Sequence, residues 1–348
     1  MSAAAGPPLV SVVVPCRNER PHIADCLASV LEGDYPADRL EVLVADGMSD
    51  DGTRDVLADW AARDARVHWF DNPARTTPAA LNAAIRRSHG DVVVLMGAHC
   101  RYPPHYVSRL VAWLERSEAD VVGGVCRTLP SGKGPLARAI ALALAHPFGV
   151  GNSYFRIGTG QPRWVDTVPF GCYRRGVFER IGLFDEELVR NQDDEFNYRL
   201  LGHGGRLLLV PEVVSEYFAR DSMAKLARMF YQYGRFKPVV IRKLGRVVTG
   251  RQLVPPLFVL GLLATLLLAL VSTRAAVPAL ALGLVYATAA SLAALRAAWR
   301  DGAACTLLLA LTFPVMHVAY GTGFLRGAAA VLFRRGGVAE PGAVTLTR

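Results

Sequence analysis

The sequence predicts an α/β domain, a mostly parallel sheet flanked by helices, followed by C-terminal transmembrane helices. Three observations predict it. Over the first 125 residues, short β-branched runs alternate with segments of helical apolar spacing, the pattern of βαβ units. Beyond residue 250 lie three uncharged apolar segments, 253–272, 275–295 and 302–325, each long enough to cross a bilayer as a helix. Charge divides at the same place: from Arg251 onward there are eight arginines and two acids, +6 of the net +9. Three such runs in succession argue against core helices of a soluble protein. Arginines flanking apolar spans suit anionic headgroups, so the basic balance is no nucleic-acid signature and no nucleic-acid partner is expected.

The elements follow in order. Residues 9–14 read as a buried strand. Ile23, Leu27, Val30 and Leu31 then form an apolar face at helical spacing. Residues 40–45 are a second strand, ending in Asp46-Gly47, and Val56, Leu57 and Trp60 mark the next helix. A strand at 67–70, a proline-opened helix at 78–88 and a strand at 91–96 come next. A helix at 104–116 packs Val107, Leu110, Val111 and Leu114 on one side, and 120–125 is a further strand. This divides the chain into a domain over 1–220, an amphipathic connector over 221–250, a membrane domain over 251–335 and a tail over 336–348. Residues 135–150, too short to span, read equally as an interfacial or a buried helix.

Six cysteines occur, none in a C-x-x-C pair, which favours reduced thiols in a cytosolic compartment and argues against zinc. The N-terminus lacks a basic n-region, so it does not read as a signal peptide. With the N-terminal domain cytosolic, Arg296 and Arg300 fall inside, as positive charge prefers. Arg334 and Arg335 then fall outside, unless the third segment is re-entrant. His317 within that segment is either a functional intramembrane group or a polar contact in helix packing.

In parallel sheets ligands bind beyond the carboxyl ends of the strands. The strand ends here read "PCRNE" (15–19), "DGMSDDGT" (46–53) and "GAHC" (97–100). No G-x-G-x-x-G follows a strand, and no P-loop occurs. Instead the ends carry acids. Acids suit ribose hydroxyls, base N–H groups and divalent metals rather than bare phosphates. That points to a nucleotide whose phosphates are neutralised by a metal. Taken alone, "SDDGT" is also an ordinary turn with a helix cap.

The stretch "VSVVVPCRNE…CLASVL…LEVLVADGMSDDGT" resembles the start of a family 2 inverting glycosyltransferase with the nucleotide-sugar-binding GT-A fold. The later "VPFGCYRRGVFERIGLFDEELVRNQDDEFNYRL", with "RYPPHYV" and "YQYGRF", resembles the membrane-attached glycosyltransferases of the succinoglycan-biosynthesis type. The similarity covers roughly residues 9–240. It implies that Pro15, Arg17 and Glu19 line the base and ribose of the donor, and that Asp46 contacts the base. Asp50 is either a further donor contact or a cap of the next helix.

In most members the fourth strand ends in D-x-D, which chelates the Mn²⁺ or Mg²⁺ bridging the diphosphate. The matching positions here are Gly97-Ala98-His99. An Asp-Ala-His version belongs to this branch, and it makes His99 the expected metal ligand or diphosphate contact. Gly97 replaces the first acid, so the metal would be held mainly by donor phosphates and water. The "NQDDEFNYRL" stretch resembles the Glu-Asp motif of the catalytic base. Matching Arg199-Leu200 to the family's trailing Arg-Leu puts Asp193 at the base, with Gln192 in place of the usual Glu. Asp194, on the acceptor side, and Glu195 are the neighbours open to confusion with it. "YQYGRFK" (231–237) resembles a Gln-x-x-Arg region on the acceptor or diphosphate side, which singles out Gln232 and Arg235. Equally, Arg228, Arg235, Lys237, Arg242 and Lys243 could line an interfacial helix on headgroups.

The resemblance thus implies an enzyme of the plasma membrane, multi-pass, with its catalytic domain cytoplasmic. It would transfer a sugar from a nucleotide-sugar donor to a lipid-linked acceptor, a polyprenyl-diphosphate saccharide, in extracellular or cell-wall polysaccharide assembly. Other polysaccharide-assembly proteins are possible partners. Direct transfer to polyprenyl phosphate is an alternative. So is a non-catalytic membrane partner that binds nucleotide sugars, favoured by the missing acid at 97. Processive polymerisation has few segments for a channel, and a transporter sits poorly with motifs on the sheet.

Overall fold

A computed structural model describes residues 6–272, 274 and 276–333. The expected tail at 336–348, with Arg334 and Arg335, lies outside the described residues, as does Ala275. In chain order the elements are β1 (Val10–Cys16), α1 (Ile23–Leu31), β2 (Leu40–Asp46), α2 (Thr53–Arg63), β3 (Val67–Asp71), α3 (Thr77–Arg87), β4 (Val92–Leu95), β5 (Cys100–Arg101), α4 (Tyr106–Arg116) and β6 (Val121–Leu129). After α5 (Pro135–Leu144), α6 (Pro147–Val150) and α7 (Tyr154–Ile157) come β7 (Arg163–Val165), β8 (Cys172–Arg174), α8 (Gly176–Ile181), α9 (Gln192–Gly202) and β9 (Leu207–Phe218). The chain ends in α10 (Met223–Leu244), α11 (Val254–Ala269), α12 (Ala276–Ala298) and α13 (Ala303–Phe333).

The described residues form two compact units. One comprises the chain up to Arg127 together with Gly158–Tyr217; the other comprises Thr128–Ile157 and the chain from Phe218 on. A division at residue 220 would put α5–α7 with the sheet. They belong instead with the C-terminal helices, because Ala139, Ile140, Ala143 and Leu144 bury themselves in the same apolar cluster as Leu309, Phe313 and Met316.

In the first unit the strands form one sheet ordered β3-β2-β1-β4-β8-β6-β9-β5, with β7 on β9. The parallel part is β3-β2-β1-β4. β1, β2 and β4 are buried on both faces, as crossover helices require, hence the near-continuous valine of β1, while the edge strand β3 is partly exposed. Beyond β4 the sheet becomes mixed, which refines the mostly parallel expectation. β8 inserts antiparallel between β4 and β6, and β5 and β7 pair antiparallel to β9. Three-residue β8 carries little apolar periodicity, so the sequence hides it. The β1–β4 ladder ends at Val13–Leu95, two residues before Pro15, which has no N–H to donate.

In the second unit, α11, α12 and α13 belong to helical spans of 20, 26 and 31 residues, each apolar and long enough to cross a membrane. Their outer faces are leucine and valine left in the open: Leu267 is 64% exposed and Leu284 69%. Contiguous apolar surface of that kind marks a face that meets a membrane or another protein. Inside, His317 Nδ1 lies 2.7 Å from the Tyr286 hydroxyl. That hydrogen bond joins α12 to α13 and accounts for a histidine in an apolar helix. α10 is not a free connector. It packs along α13 at backbone contact: a Cβ built on Gly323 would sit 2.2 Å from the Tyr231 carbonyl oxygen. Lys237 is buried on α10 while Arg228, Arg242 and Lys243 are exposed, so Lys237 leaves the headgroup face expected of it.

Candidate active site

The site is built at the carboxyl ends of β1, β2 and β4. Two of the loops there are tied to each other. Asp46 is fully buried; its carboxylate accepts from the Ser49 backbone N–H (3.0 Å) and the Ser49 hydroxyl (2.5 Å). Ser49 Oγ in turn accepts from the Asn18 N–H at 2.7 Å. Asn18 and Asp50 clasp each other: Nδ2 donates to Asp50 Oδ1 (2.7 Å), and Asp50 N–H donates to Asn18 Oδ1 (2.9 Å). Asp50 is therefore no helix cap. The N-cap position of α2 is Gly52, and the Thr53 N–H (3.0 Å) and hydroxyl (2.5 Å) are met by Asp51 Oδ1. Burial pushes the Asp51 carboxyl up. The hydrogen bonds from Thr53 and the Arg20 N–H outweigh it and hold the group below its ordinary value. Arg54 reaches Asp71 at 2.7 Å and lies 3.7 Å from Asp46.

The edge is electronegative enough to be felt by its neighbours. Burial first, then the Glu19 charge, push the Cys26 thiol to about 12. The same two causes, with Asp46, raise Cys16. Neither thiol is a nucleophile. All six cysteines are free and buried.

Position 97 explains its own glycine. A Cβ there would meet the Phe170 ring at 2.9 and 3.0 Å and Cys100 Sγ at 3.4 Å. The turn is clamped by Tyr102, whose hydroxyl accepts from the Gly97 N–H (2.7 Å) and faces its carbonyl (3.3 Å). The space of the absent acid is thus filled by an aromatic ring. We expect Gly97→Asp to destabilise the protein by about 1–3 kcal/mol without raising turnover. Adding Phe170→Gly should return the melting temperature toward wild type, because glycine also suits the positive φ at 170. An unshifted Tm for the single variant would show that the ring yields freely.

His99, one turn further on, is 35% exposed and holds Nδ1 3.4 Å from Glu19 Oε1. The Tyr217 ring packs edge-on against it at 5.9 Å. Among the described residues no three His, Cys, Asp or Glu side chains are grouped to hold a metal. An imidazole beside one carboxylate still fits a cation whose other ligands are phosphate oxygens and water, the common arrangement for Mg²⁺.

The topology brings α9 to the same edge. β8 runs antiparallel to β4, so its entry, Phe170-Gly171, meets the exit of β4: Leu95 N–H donates to the Gly171 carbonyl. Asn197, on α9, donates to Thr167 Oγ1 at 2.9 Å just upstream. Asp193 lies one turn earlier on that helix, exposed in its first turn. Asp194 is half-buried and Gln192 half-buried beside it. Glu195 is 4% exposed and bound by Arg199 at 2.8 and 3.1 Å. Arg199 also donates to the carbonyls of Ile181 and Leu183. Glu195 is therefore an anchor of α9.

Pro15 and Arg17 stand at the end of β1 beside these loops, Arg17 exposed with its stem over Gly47. Gln232 and Arg235 lie on α10 in the second unit: Gln232 is buried, and the Arg235 backbone faces Gly327 of α13. Sequence reasoning missed Asn18, Ser49, Arg54, Phe170 and the Glu195–Arg199 pair. One backbone signal unites several loops. Asn18, Met48, Arg75, Phe170 and Asn191 all have φ between 46° and 61°; Asn18 and Met48 lie in the two tied loops, and Phe170 lies beside Gly97. Such conformations cost about 1–3 kcal/mol and collect at functional sites.

Comparison with known proteins bears on the family and the fold. Residues 11–182 match the model of "Glycosyl transferase family 2". The chain is 31% identical to the succinoglycan biosynthesis protein ExoA of Rhizobium meliloti, over 90% of this chain and 93% of that protein. It is 28% identical to a dolichyl N-acetyl-alpha-D-glucosaminyl phosphate 3-beta-D-2,3-diacetamido-2,3-dideoxy-beta-D-glucuronosyltransferase of Methanococcus voltae, over 67% of this chain and 74% of that protein. In fold it is similar to the mannosyltransferase PcManGT of Pyrobaculum calidifontis, solved with GDP-Man and Mn²⁺, at a TM-score of 0.55 and 23% identity over 94% of this chain and 88% of that one. A GT-A-like sheet carrying these loops, with near full-length similarity to a relative of that kind, means that the chain belongs to glycosyl transferase family 2 and is a glycosyltransferase.

Proposed function

We propose that this enzyme moves a sugar, with inversion, from a nucleotide-sugar donor to a lipid-linked acceptor at a membrane, in polysaccharide assembly. The observation that carries the reading is the contrast in burial along one helix turn: Glu195 is buried against Arg199 while Asp193 is solvent-exposed in the first turn of α9. A carboxylate in the first turn of a helix is favoured by the dipole, and an exposed one is accessible to an acceptor's proton. An acceptor hydroxyl placed within about 2.6–3.2 Å of it gives up its proton as its oxygen attacks the anomeric carbon. The bond from that carbon to the nucleoside diphosphate breaks on the opposite side. One displacement inverts the centre, and no enzyme nucleophile is needed.

On the donor side, Pro15, Arg17, Asp46 and Asp50 frame the nucleoside, and His99 faces the diphosphate. A bound Mn²⁺ or Mg²⁺ would neutralise the leaving group's charge, with His99 among its ligands. A lipid acceptor is supported by the three apolar spans and by the relative whose name specifies a dolichyl-phosphate sugar. The spans also support a multi-pass membrane enzyme, with the catalytic unit on the cytoplasmic side where nucleotide sugars are made.

The test is label transfer. Membranes containing the protein and native lipid receive a panel of radiolabelled nucleotide sugars, with Mn²⁺, Mg²⁺ or EDTA. We expect label from one donor in the organic-extractable lipid, abolished by EDTA. Nucleotide binding without transfer for any donor, with native acceptor shown to be present, would mark a non-catalytic binding protein instead.

A further inference from the structure

Granting the nucleotide-sugar donor proposed above, we infer that Glu19 supplies the carboxylate ligand that position 97 cannot. Glu19 and His99, from the ends of two different strands, together hold the divalent cation on the donor diphosphate. The missing acid is thus replaced from a neighbouring loop rather than lost.

Four observations carry this. First, Gly97 cannot be the ligand, and its space is occupied by the Phe170 ring. Second, Glu19 Oε1 and His99 Nδ1 are 3.4 Å apart. Two ligands at right angles around an octahedral cation, each about 2.1 Å from it, are about 3.0 Å apart. The pair needs only a small adjustment to share one ion. Third, the three carboxylates of the loop after β2 are engaged elsewhere: Asp46 by Ser49, Asp50 by Asn18, Asp51 by Thr53. The Glu19 carboxylate faces His99 and is 19% exposed. Fourth, both backbones are fixed while the side chains stay free to aim. The Glu19 N–H donates to Thr53 Oγ1 at 2.9 Å, and its carbonyl accepts from His22 and Ile23 at the start of α1. The His99 turn is held by Tyr102. One carboxylate and one imidazole are few ligands. Phosphate-bound Mg²⁺ and Mn²⁺ need few, since substrate oxygens and water complete the shell.

The experiment uses the full chain in detergent. Mn²⁺ is titrated in the presence of saturating UDP or, separately, GDP, and free Mn²⁺ is read by electron paramagnetic resonance. Metal-free nucleotide affinity is measured by equilibrium dialysis with EDTA. Glu19→Gln and His99→Gln should each weaken Mn²⁺ binding at least about 10–100-fold, the loss seen on removing even an outer partner of a metal ligand. Metal-free nucleotide affinity should be unchanged in Glu19→Gln, and Glu19→Asp should recover part of the Mn²⁺ affinity. In the wild type, pulsed resonance should show ¹⁴N coupling from His99 that His99→Gln abolishes. Wild-type Mn²⁺ affinity in Glu19→Gln overturns the inference. So does a loss of metal-free nucleotide binding in that variant, which would make Glu19 a nucleoside contact, or absence of ¹⁴N coupling in the wild type. Failure of either nucleotide to bind the wild type, with or without metal, would instead overturn the donor-binding reading.

Discussion

Asp193→Asn is expected to lower the rate of sugar transfer by about 10²–10⁴-fold, the usual contribution of a positioned general base. Donor affinity and melting temperature should stay at wild-type values. The asparagine keeps the shape of the side chain but cannot take the acceptor's proton. Stability is spared because Asp193 is exposed and its charge at a helix N-terminus is worth only about 0.3–1 kcal/mol. Two neighbours make the result specific. Glu195→Gln breaks the pairing with Arg199, so it should lower the melting temperature, with activity falling in step with folded protein. Asp194→Asn should leave most of the transfer rate intact. Initial rates of label transfer, nucleotide affinities and thermal unfolding of the three variants decide the matter. A fast Asp193→Asn beside a dead Asp194→Asn would move the base by one residue.

The second large effect lies in the helical unit. Gly323→Leu should destabilise it by about 3 kcal/mol or more, the upper end of overpacking penalties. A Cβ on Gly323 would lie 2.2 Å from the Tyr231 carbonyl oxygen, and one on Gly327 2.2 Å from that of Arg235. In the other direction, a Cβ on Gly234 would lie 2.0 Å from the Tyr320 oxygen. Gly323 and Gly327 are four residues apart, the spacing that lets membrane helices meet backbone to backbone. Replacing a helical glycine ordinarily gains up to about 1 kcal/mol of helix propensity. Here the clash is larger, so the sign reverses. Gly283 on α12 is the control: a Cβ there meets nothing within 4 Å, and Gly283→Ala should raise the melting temperature slightly. Thermal unfolding of the detergent-solubilised proteins reads both. A Gly323→Leu protein that melts like the wild type would mean that α10 does not lie on α13 in this way.

Local patterns were legible where one segment decides its own fate. The central parallel strands β1, β2 and β4 are near-continuous apolar runs, and the helices between them have clear spacing. The spans α11–α13 are uncharged for a full bilayer thickness. The strand ends announced themselves by acids where no phosphate-binding glycine loop occurs. What stayed hidden depends on pairing. β8 and β7 are three residues each, too short for a period, and exist because a neighbouring strand accepts them. The roles within "QDDE" could not be separated by residue type, since all three acids suit a helix start; the position of Arg199 separates Glu195 from the rest.

The sequence by itself thus determined the α/β class, the apolar spans, and the family through its motifs, because hydrophobic periodicity and turn chemistry are written locally. Only the tertiary structure decided that Asp51 rather than Asp50 meets the Thr53 N–H at the start of α2, that α5–α7 join the C-terminal helices, and that α10 packs on α13. It also decided that Phe170 fills the space beside Gly97 and that Glu19 meets His99. The physical reason is the same in each case. Contacts between residues tens of positions apart are set by which strand ends and helix faces the topology brings together, and no local pattern records that.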